Sequence, residues 1–392
     1  MEISVVHPSL NKTGGAERYC LEMINTLTNL GHTVNLYTID KTDWTKLAQN
    51  QNLTPEPDNE YYLQEKKLTP DGLFSWIRTA TAYTWLLIKS TEESDICINN
   101  YGEIMPFYAH VSIVHSVPMS SIAENNYGIP LWNIVQRLYN YLYEALKPHH
   151  SEIIVTNSSY NAGRINHIGK TEIIYPPVKL PAPSQEEKNG EILTVARLKT
   201  GKNLNIVAEI ASRSRNRFNV AGHSEYGSER LIKELRDFKN IEVYVNPHRT
   251  KIIELMNQCS VYLSTQKDEA FGIAIVEAMS LGCIPLVYHG GGPWTDILLE
   301  NEETGLGYST SDEAVEKIRM ILMDETRRAK LRENGAIRAQ AFTEYVFRQR
   351  FTDFINTLEP LEKQEKRLYQ WYRELRRIRE NIGERVSIQA PL

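Results

Sequence analysis

DEAFGIAIVEAMSLGCIPLVYHGGGPWTD, residues 268–296, runs through turn, helix, strand and turn without a break. Glu269 falls in a loop. Phe271-Gly272 opens a helix, with Ile273 and Val276 on its apolar side. Glu277 lies about one turn into the helix. Gly282 ends the helix, and CIPLVY (283–288) reads as a buried strand. Gly290-Gly291-Gly292-Pro293 then turns the chain into another short helix. Free N–H groups and the positive dipole end at such helix starts suit phosphate. An ordinary α/β unit with solvent-facing glutamates would carry the same pattern.

The alternation extends on both sides of this stretch. Strands fit at 191–196, 217–221, 241–245, 260–264, 283–288 and 305–308. Helices fit at 203–213, 227–238, 248–258, 271–281 and 311–323. That order predicts a doubly wound parallel sheet. PPVKLPAPSQEEKNG (176–190) has no apolar period and reads as a linker. Before it, ISVVH (3–7), a helix from about Ala16 to Leu30, and TVNLYTI (33–39) form a βαβ unit. A glycine turn, Gly14-Gly15, points at the first helix. Residues 50–72 carry Pro55, Pro57 and Pro70 and read as a surface excursion. A helix at 73–90 and strands at 95–99 and 110–114 follow. Strand 152–157, helix 158–166 and strand 172–175 complete this half.

The expected architecture is therefore α/β, with two Rossmann-like doubly wound domains facing across a cleft. The first spans 1–178 and the second 188–344. From about 325 the chain reads as helical, and helices over 345–392 are expected to pack back on the first domain. Residues 129–147 are rich in tryptophan and tyrosine, fitting either core packing or a membrane interface. Leu361, Leu368, Leu375 and Ile382 form a heptad-like seam broken by Gln364. Over 361–385 eight Lys/Arg stand against five Glu, a net of +3. A packed terminal helix, a dimer coiled coil and contact with an anionic membrane surface remain open for it.

Composition narrows the class. The 392 residues suit two domains, and 41% hydrophobic with 24% charged residues is ordinary for a globular protein. A formal charge of −5 gives no reason to expect nucleic acid. Cys20, Cys97, Cys259 and Cys283 are scattered, which fits core cysteines in a reducing compartment, not a zinc site. MEISVV reads directly as a strand, so no signal peptide is expected, and no run reaches transmembrane length. The expected location is the cytoplasm, with peripheral contact at the cytosolic face of a membrane as a further option.

The chemistry concentrates at carboxyl ends of strands, where α/β sheets keep their ligands. His115 ends the strand 110–114. Arg197 and Lys202, in VARLKTGKN, follow the strand 191–196, and two cations there suit a diphosphate. Each feature has a plain alternative: a satisfied histidine, a solvated basic loop, a tight glycine turn.

Together these residues resemble the retaining, two-domain (GT-B) nucleotide-sugar glycosyltransferases of family 4, the group 1 glycosyl transferases, over nearly the whole chain. Gly14-Gly15, His115, Arg197 with Lys202, and Glu269-x7-Glu277 around Phe271-Gly272 carry the resemblance. It implies that the first domain takes the acceptor and the second the donor. Arg197 and Lys202 would stabilise the diphosphate leaving group. N–H groups around Phe271, Gly272 and Ile273 would support phosphate and sugar. Glu269 would bind sugar hydroxyls, Glu277 the ribose hydroxyls, and His115 a hydroxyl of the transferred sugar. Gly14 and Gly15 would let the backbone approach the donor.

The two glutamates are not a glycosidase pair. Eight helical residues span about 12 Å, against roughly 5–5.5 Å for a retaining carboxylate pair. The resemblance implies front-face substitution with no metal or other cofactor required. HGGGPWTDI (289–297) and EAFGIAIVEAMSLG are most similar to mannosyltransferases that extend lipid-linked oligosaccharides from GDP-mannose. Thr295 stands where the family pattern has glutamate, with Asp296 one place later, and AGHSE lacks an expected glycine. GDP-mannose is thus the favoured donor, a UDP-sugar stays open, and the acceptor is a glycan or lipid-linked. A sugar-nucleotide epimerase and a non-catalytic nucleotide-sugar-binding subunit are the competing readings.

Overall fold

Apolar runs bounded by glycine, proline and asparagine become strands in the computed structural model, and the amphipathic stretches between them become helices. The structure describes residues 1–11, 14–51, 56–65, 73–103, 109–116, 137, 141, 151–165, 169–183, 187–225 and 227–360. Within them lie two parallel sheets, one from each half of the chain.

The first sheet contains β1 (Glu2–Val6), β2 (Thr33–Asp40), β3 (Asn59–Gln64), β4 (Ile96–Asn99), β5 (Val111–Val114), β6 (Ile153–Thr156) and β7 (Lys170–Ile173), in the order β3-β2-β1-β4-β5-β6-β7. The second contains β8 (Ile192–Val195), β9 (Phe218–Gly222), β10 (Ile241–Val245), β11 (Val261–Leu263), β12 (Ile284–Tyr288) and β13 (Leu306–Tyr308), in the order β10-β9-β8-β11-β12-β13. Helices cover both faces, so β4, β5 and β11 are buried along their whole length, and their sequences (ICIN, VSIV and VYL) are mostly apolar without alternation.

The helices flanking the first sheet are α1 (Gly15–Asn29), α2 (Trp44–Gln51), α3 (Leu73–Glu93) and α4 (Ser159–Ala162). Those flanking the second are α5 (Asn205–Ser212), α6 (Glu229–Arg236), α7 (Arg249–Gln258), α8 (Ile273–Ser280), α9 (Ser311–Met323) and α10 (Glu325–Ala339). Strand order reverses between β1 and β4 in one sheet and between β8 and β11 in the other. Loops diverge at such points and leave a crevice outside the carboxyl ends of the strands. These two crevices position the site.

α11 (Glu344–Asn356) crosses back to the first half of the chain. Its Phe347, Phe351, Phe354 and Ile355 join the core built by Ile3, Ile24, Leu36 and Ile113. The two crossings run side by side: Val178 N–H donates to the Phe342 carbonyl at 2.9 Å. The seam at 361–392 lies outside the described residues, as does 129–147 apart from Arg137 and Tyr141.

The expected excursion at 50–72 is partly regular. It holds the end of α2 and the strand β3, which pairs with β2 at the sheet edge. NEYYLQ has no buried face, so its sequence lacks the alternation that marks an internal strand. Side chains anchor it instead: Glu60 accepts from Thr42 N–H and from Trp44 Nε1, both at 2.9 Å.

Candidate functional site

The site assembles from four loops. After β8 the chain passes Arg197 and enters a short helical turn, Thr200–Lys202. The Lys202 carbonyl accepts from Thr265 Oγ1 at 2.9 Å, which ties this turn to the end of β11. Strands β8 and β11 are neighbours, so the loop after β11 brings Glu269 beside Lys202. Lys202 Nζ stands 3.4 Å from Glu269 Oε2 and bonds Gln266 Oε1. Arg197 is more exposed and pairs with Glu225 at 3.0 Å.

The opening stretch of the sequence folds on itself. Gly292 N–H donates to the Glu269 carbonyl at 2.8 Å, so the second glycine turn seats the Glu269 loop. A Cβ on Gly292 would sit 2.1 Å from the Ala270 carbonyl oxygen. The helix begins at Ile273, with Gly272 left-handed at φ 96 before it. No side chain caps this helix start, nor that of α1 after Gly14. The two starts approach closely, and a Cβ on Gly15 would lie 3.1 Å from Ile273 Cδ1.

His115 follows β5. Its Nε2 lies 3.3 Å from Asn100 Oδ1, and the Tyr19 ring packs edge-on at 5.1 Å. Burial pushes the imidazole down to about 4, so it is neutral at pH 7. With Asn100 Oδ1 as acceptor the proton sits on Nε2, and Nδ1 is an acceptor.

A cavity of about 410 Å³ joins these loops, a size in the ligand-pocket range. Gly15, His115, Arg197, Lys202, Glu269, Phe271, Gly272 and Ile273 all line it, as do Lys199 and Gln266. Three cations, two helix starts and a neutral imidazole thus line one cavity, an arrangement suited to a diphosphate.

Two expected residues stand elsewhere. Gly14 is not among the lining residues; the space over it is taken by Glu17, whose Oε2 would lie 2.4 Å from an added Cβ. Glu277 is 3% exposed and also off the cavity wall. Arg249 grips both its oxygens, at 3.0 and 2.6 Å, and Arg18 lies 3.7 Å away. Arg249, Asn100, Asn157 and Asn161 were not singled out from the sequence. For Asn100 and Asn157 a signal existed, since both follow strand ends. For Arg249 there was none, because its partner lies 28 residues away.

Residues 179–338 match the family profile described as Glycosyl transferases group 1. The chain is 22% identical over 307 residues to the GDP-Man:Man(3)GlcNAc(2)-PP-Dol alpha-1,2-mannosyltransferase of Dictyostelium discoideum, covering 66% of this chain and 60% of that protein. The Homo sapiens protein of the same name is 24% identical over 295 residues, covering 64% and 60%. The chain thus spans about 60% of the length of these curated relatives. Among solved structures, Anabaena Alr3699/HepE in complex with UDP and glucose superposes with a TM-score of 0.67 at 19% identity, covering 91% of this chain and 100% of that one. Sucrose-phosphate synthase from Thermosynechococcus elongatus gives 0.70 at 15% identity, covering 91% and 98%.

Two parallel-sheet domains meeting at such a cleft define the GT-B fold. The likeness to the glycosyl transferases group 1 is confined to residues 179–338, largely within the second domain. Among the described residues, no helix is long and apolar enough to cross a membrane.

Proposed function

We propose that this chain is a retaining glycosyltransferase that moves a hexose, mannose in the favoured case, from a nucleotide-diphosphate sugar to a glycan or lipid-linked acceptor. The observation that carries the reading is the convergence of Arg197, Lys202, the α8 start and His115 on one cavity. Arg197 and Lys202 take the charge that grows on the diphosphate as the anomeric C–O bond breaks. N–H groups at Phe271, Gly272 and Ile273 hold phosphate and sugar. Glu269 accepts from sugar hydroxyls, and neutral His115 accepts from one more through Nδ1. The acceptor hydroxyl attacks the face the phosphate leaves, and its proton passes to the departing phosphate oxygen. Glu277 reaches the ribose only after Arg249 yields one of its oxygens, which makes that exchange part of donor binding.

GDP-mannose is the donor we favour, on the likeness of residues 269–282 and 289–297 to mannosyltransferases that extend lipid-linked oligosaccharides; a UDP-sugar is the alternative. The lipid-linked acceptor places the protein at the cytosolic membrane face, with the basic seam at 361–385 as a contact. The test is a thermal-shift titration with GDP, UDP and ADP and their sugars, followed by transfer to lipid-linked glycan acceptors. A GDP-specific shift and an α-linked product support the proposal. No shift with any nucleotide refutes it.

A further inference from the structure

We infer that residues 157–164 form a clamp through which the second domain sets the position of His115, and that Asp296 is the positioning residue that closes it. The kinetic consequence rests on the glycosyltransferase reading of the cleft; the geometry does not.

Asp296 is 1% exposed, in the helical turn Pro293–Ile297 of the second domain. A buried carboxylate is tolerated only where its lone pairs are engaged. Its partners here come from across the chain. Oδ1 accepts from Ser159 N–H at 2.7 Å and from the Tyr175 hydroxyl at 3.1 Å, and Oδ2 accepts from Tyr160 N–H at 3.2 Å. On its own side Asp296 is fixed by Arg338, which donates to the Asp296 carbonyl at 2.7 Å and to the Ile297 carbonyl at 3.0 Å.

Asp268 makes a second grip. Its Oδ1 accepts from the Tyr160 hydroxyl at 2.6 Å and lies 3.4 Å from Arg164 Nη1. Asp268 is the residue before Glu269, so the loop that carries Glu269 touches the same turn.

The other side of the turn holds His115. Asn157 Nδ2 donates to the His115 carbonyl at 2.9 Å and Asn161 Nδ2 at 3.1 Å, while Asn161 also bonds Asn157 Oδ1 at 2.7 Å. The bonds from Ser159 and Tyr160 to Asp296 and from Asn161 to the His115 carbonyl, at the two ends of this turn, are all 3.2 Å or shorter. Parting the domains breaks the Asp296 and Asp268 bonds and frees the turn that fixes the end of β5. Donor groups on Arg197, Lys202 and Glu269 stay with the second domain. Loss of Asp296 therefore separates donor binding from turnover.

The experiment uses the full chain and four variants: Asp296→Asn, Asp296→Glu, Asn161→Ala and the Asp296→Asn/Asn161→Ala pair. Asparagine keeps the shape but turns an NH2 toward a donor. Nucleotide Kd is measured by calorimetry and kcat by transfer. Asp296→Asn should lower kcat about tenfold or more with Kd changed less than about threefold. Asp296→Glu should recover part of kcat. Asn161→Ala should show the same split, and the pair should be no slower than the slower single variant, since both lie on one path. Wild-type kcat in Asp296→Asn, an equal loss in Kd, or multiplied losses in the pair would overturn the clamp.

A readout independent of activity is the distance between spin labels at Glu92→Cys and Arg230→Cys, the four native cysteines being buried. A narrow distribution should broaden in Asp296→Asn, and an unchanged distribution overturns the clamp. If the wild-type protein transfers nothing to any acceptor, the glycosyltransferase reading falls, while the label distances still decide the clamp.

Discussion

Lys202 and Glu269 hold each other at the edge of the cavity, Nζ 3.4 Å from Oε2, with side chains 17% and 28% exposed. They come from the loops after β8 and β11, which are adjacent strands at the point where strand order reverses. A partly exposed ion pair contributes little to stability, whereas either charge placed against a donor contributes to turnover. Lys202→Ala and Glu269→Ala should each lower transfer more than about tenfold. Melting temperatures should stay near wild type. Initial rates and thermal melts check this, and wild-type turnover in both variants refutes the site.

Glu277 tests the second carboxylate. Its buried group depends on Arg249, with Arg18 more distant at 3.7 Å. Arg249→Met leaves a buried charge with one weak partner and should lower the melting temperature. Adding Glu277→Gln removes the charge and should restore much of that loss. Melts of both single variants and the pair form the cycle. A purely additive pair would show that the two side chains do not depend on one another.

The sequence carries the sheets and about half of the cavity wall for the same reason. Strand ends and the loops after them are local, and Arg197, Lys202 and Glu269 sit directly after apolar runs that had to be parallel strands. Pairings between separate loops are not local. Arg249 reaches Glu277 because β10 and α7 bring it there, and Asp296 reaches Ser159 because the chain crosses twice between domains. Nothing in residue type or spacing encodes those meetings. Strand β3 was hidden because an exposed edge strand has no buried face to pattern it. Thr295, which departs from the family pattern, donates to its own turn through Oγ1 to the Gly291 carbonyl at 2.7 Å, leaving the interdomain contact to Asp296.

His115 predicts a pH dependence. In the folded protein burial holds its imidazole at about 4, against about 6.5 in the unfolded chain. As pH falls below about 6.5 the unfolded chain takes up a proton that the folded protein refuses until about 4. The histidine therefore lowers stability progressively over that window and has no effect above it. His115→Gln lacks the group, so the wild-type melting temperature should fall relative to the variant between pH 6.5 and 4. Glu103, which accepts from His115 N–H at 3.4 Å and is raised by burial to about 8, is present in both proteins. A difference that stays flat from pH 7 to 4.5 would mean that the imidazole is not held neutral.

Gly292→Ala tests whether the second glycine turn seats the Glu269 loop. An added Cβ would lie 2.1 Å from the Ala270 carbonyl oxygen and 3.1 Å from Phe271 Cα, both backbone atoms that cannot rotate away. The loop must move, and with it the Glu269 carbonyl that Gly292 N–H holds. Phe271 shifts too, although its ring is packed against Tyr175 and Phe342 at 5.6 and 5.2 Å. Overpacking of this kind destabilises by about 1–3 kcal/mol, so the melting temperature should drop while the protein stays folded at 25 °C. Nucleotide affinity and transfer should fall together, because Glu269 and the Phe271-Gly272-Ile273 N–H groups move as one. Loss of stability with unchanged nucleotide affinity would show that the glycine turn supports the fold without setting the donor site.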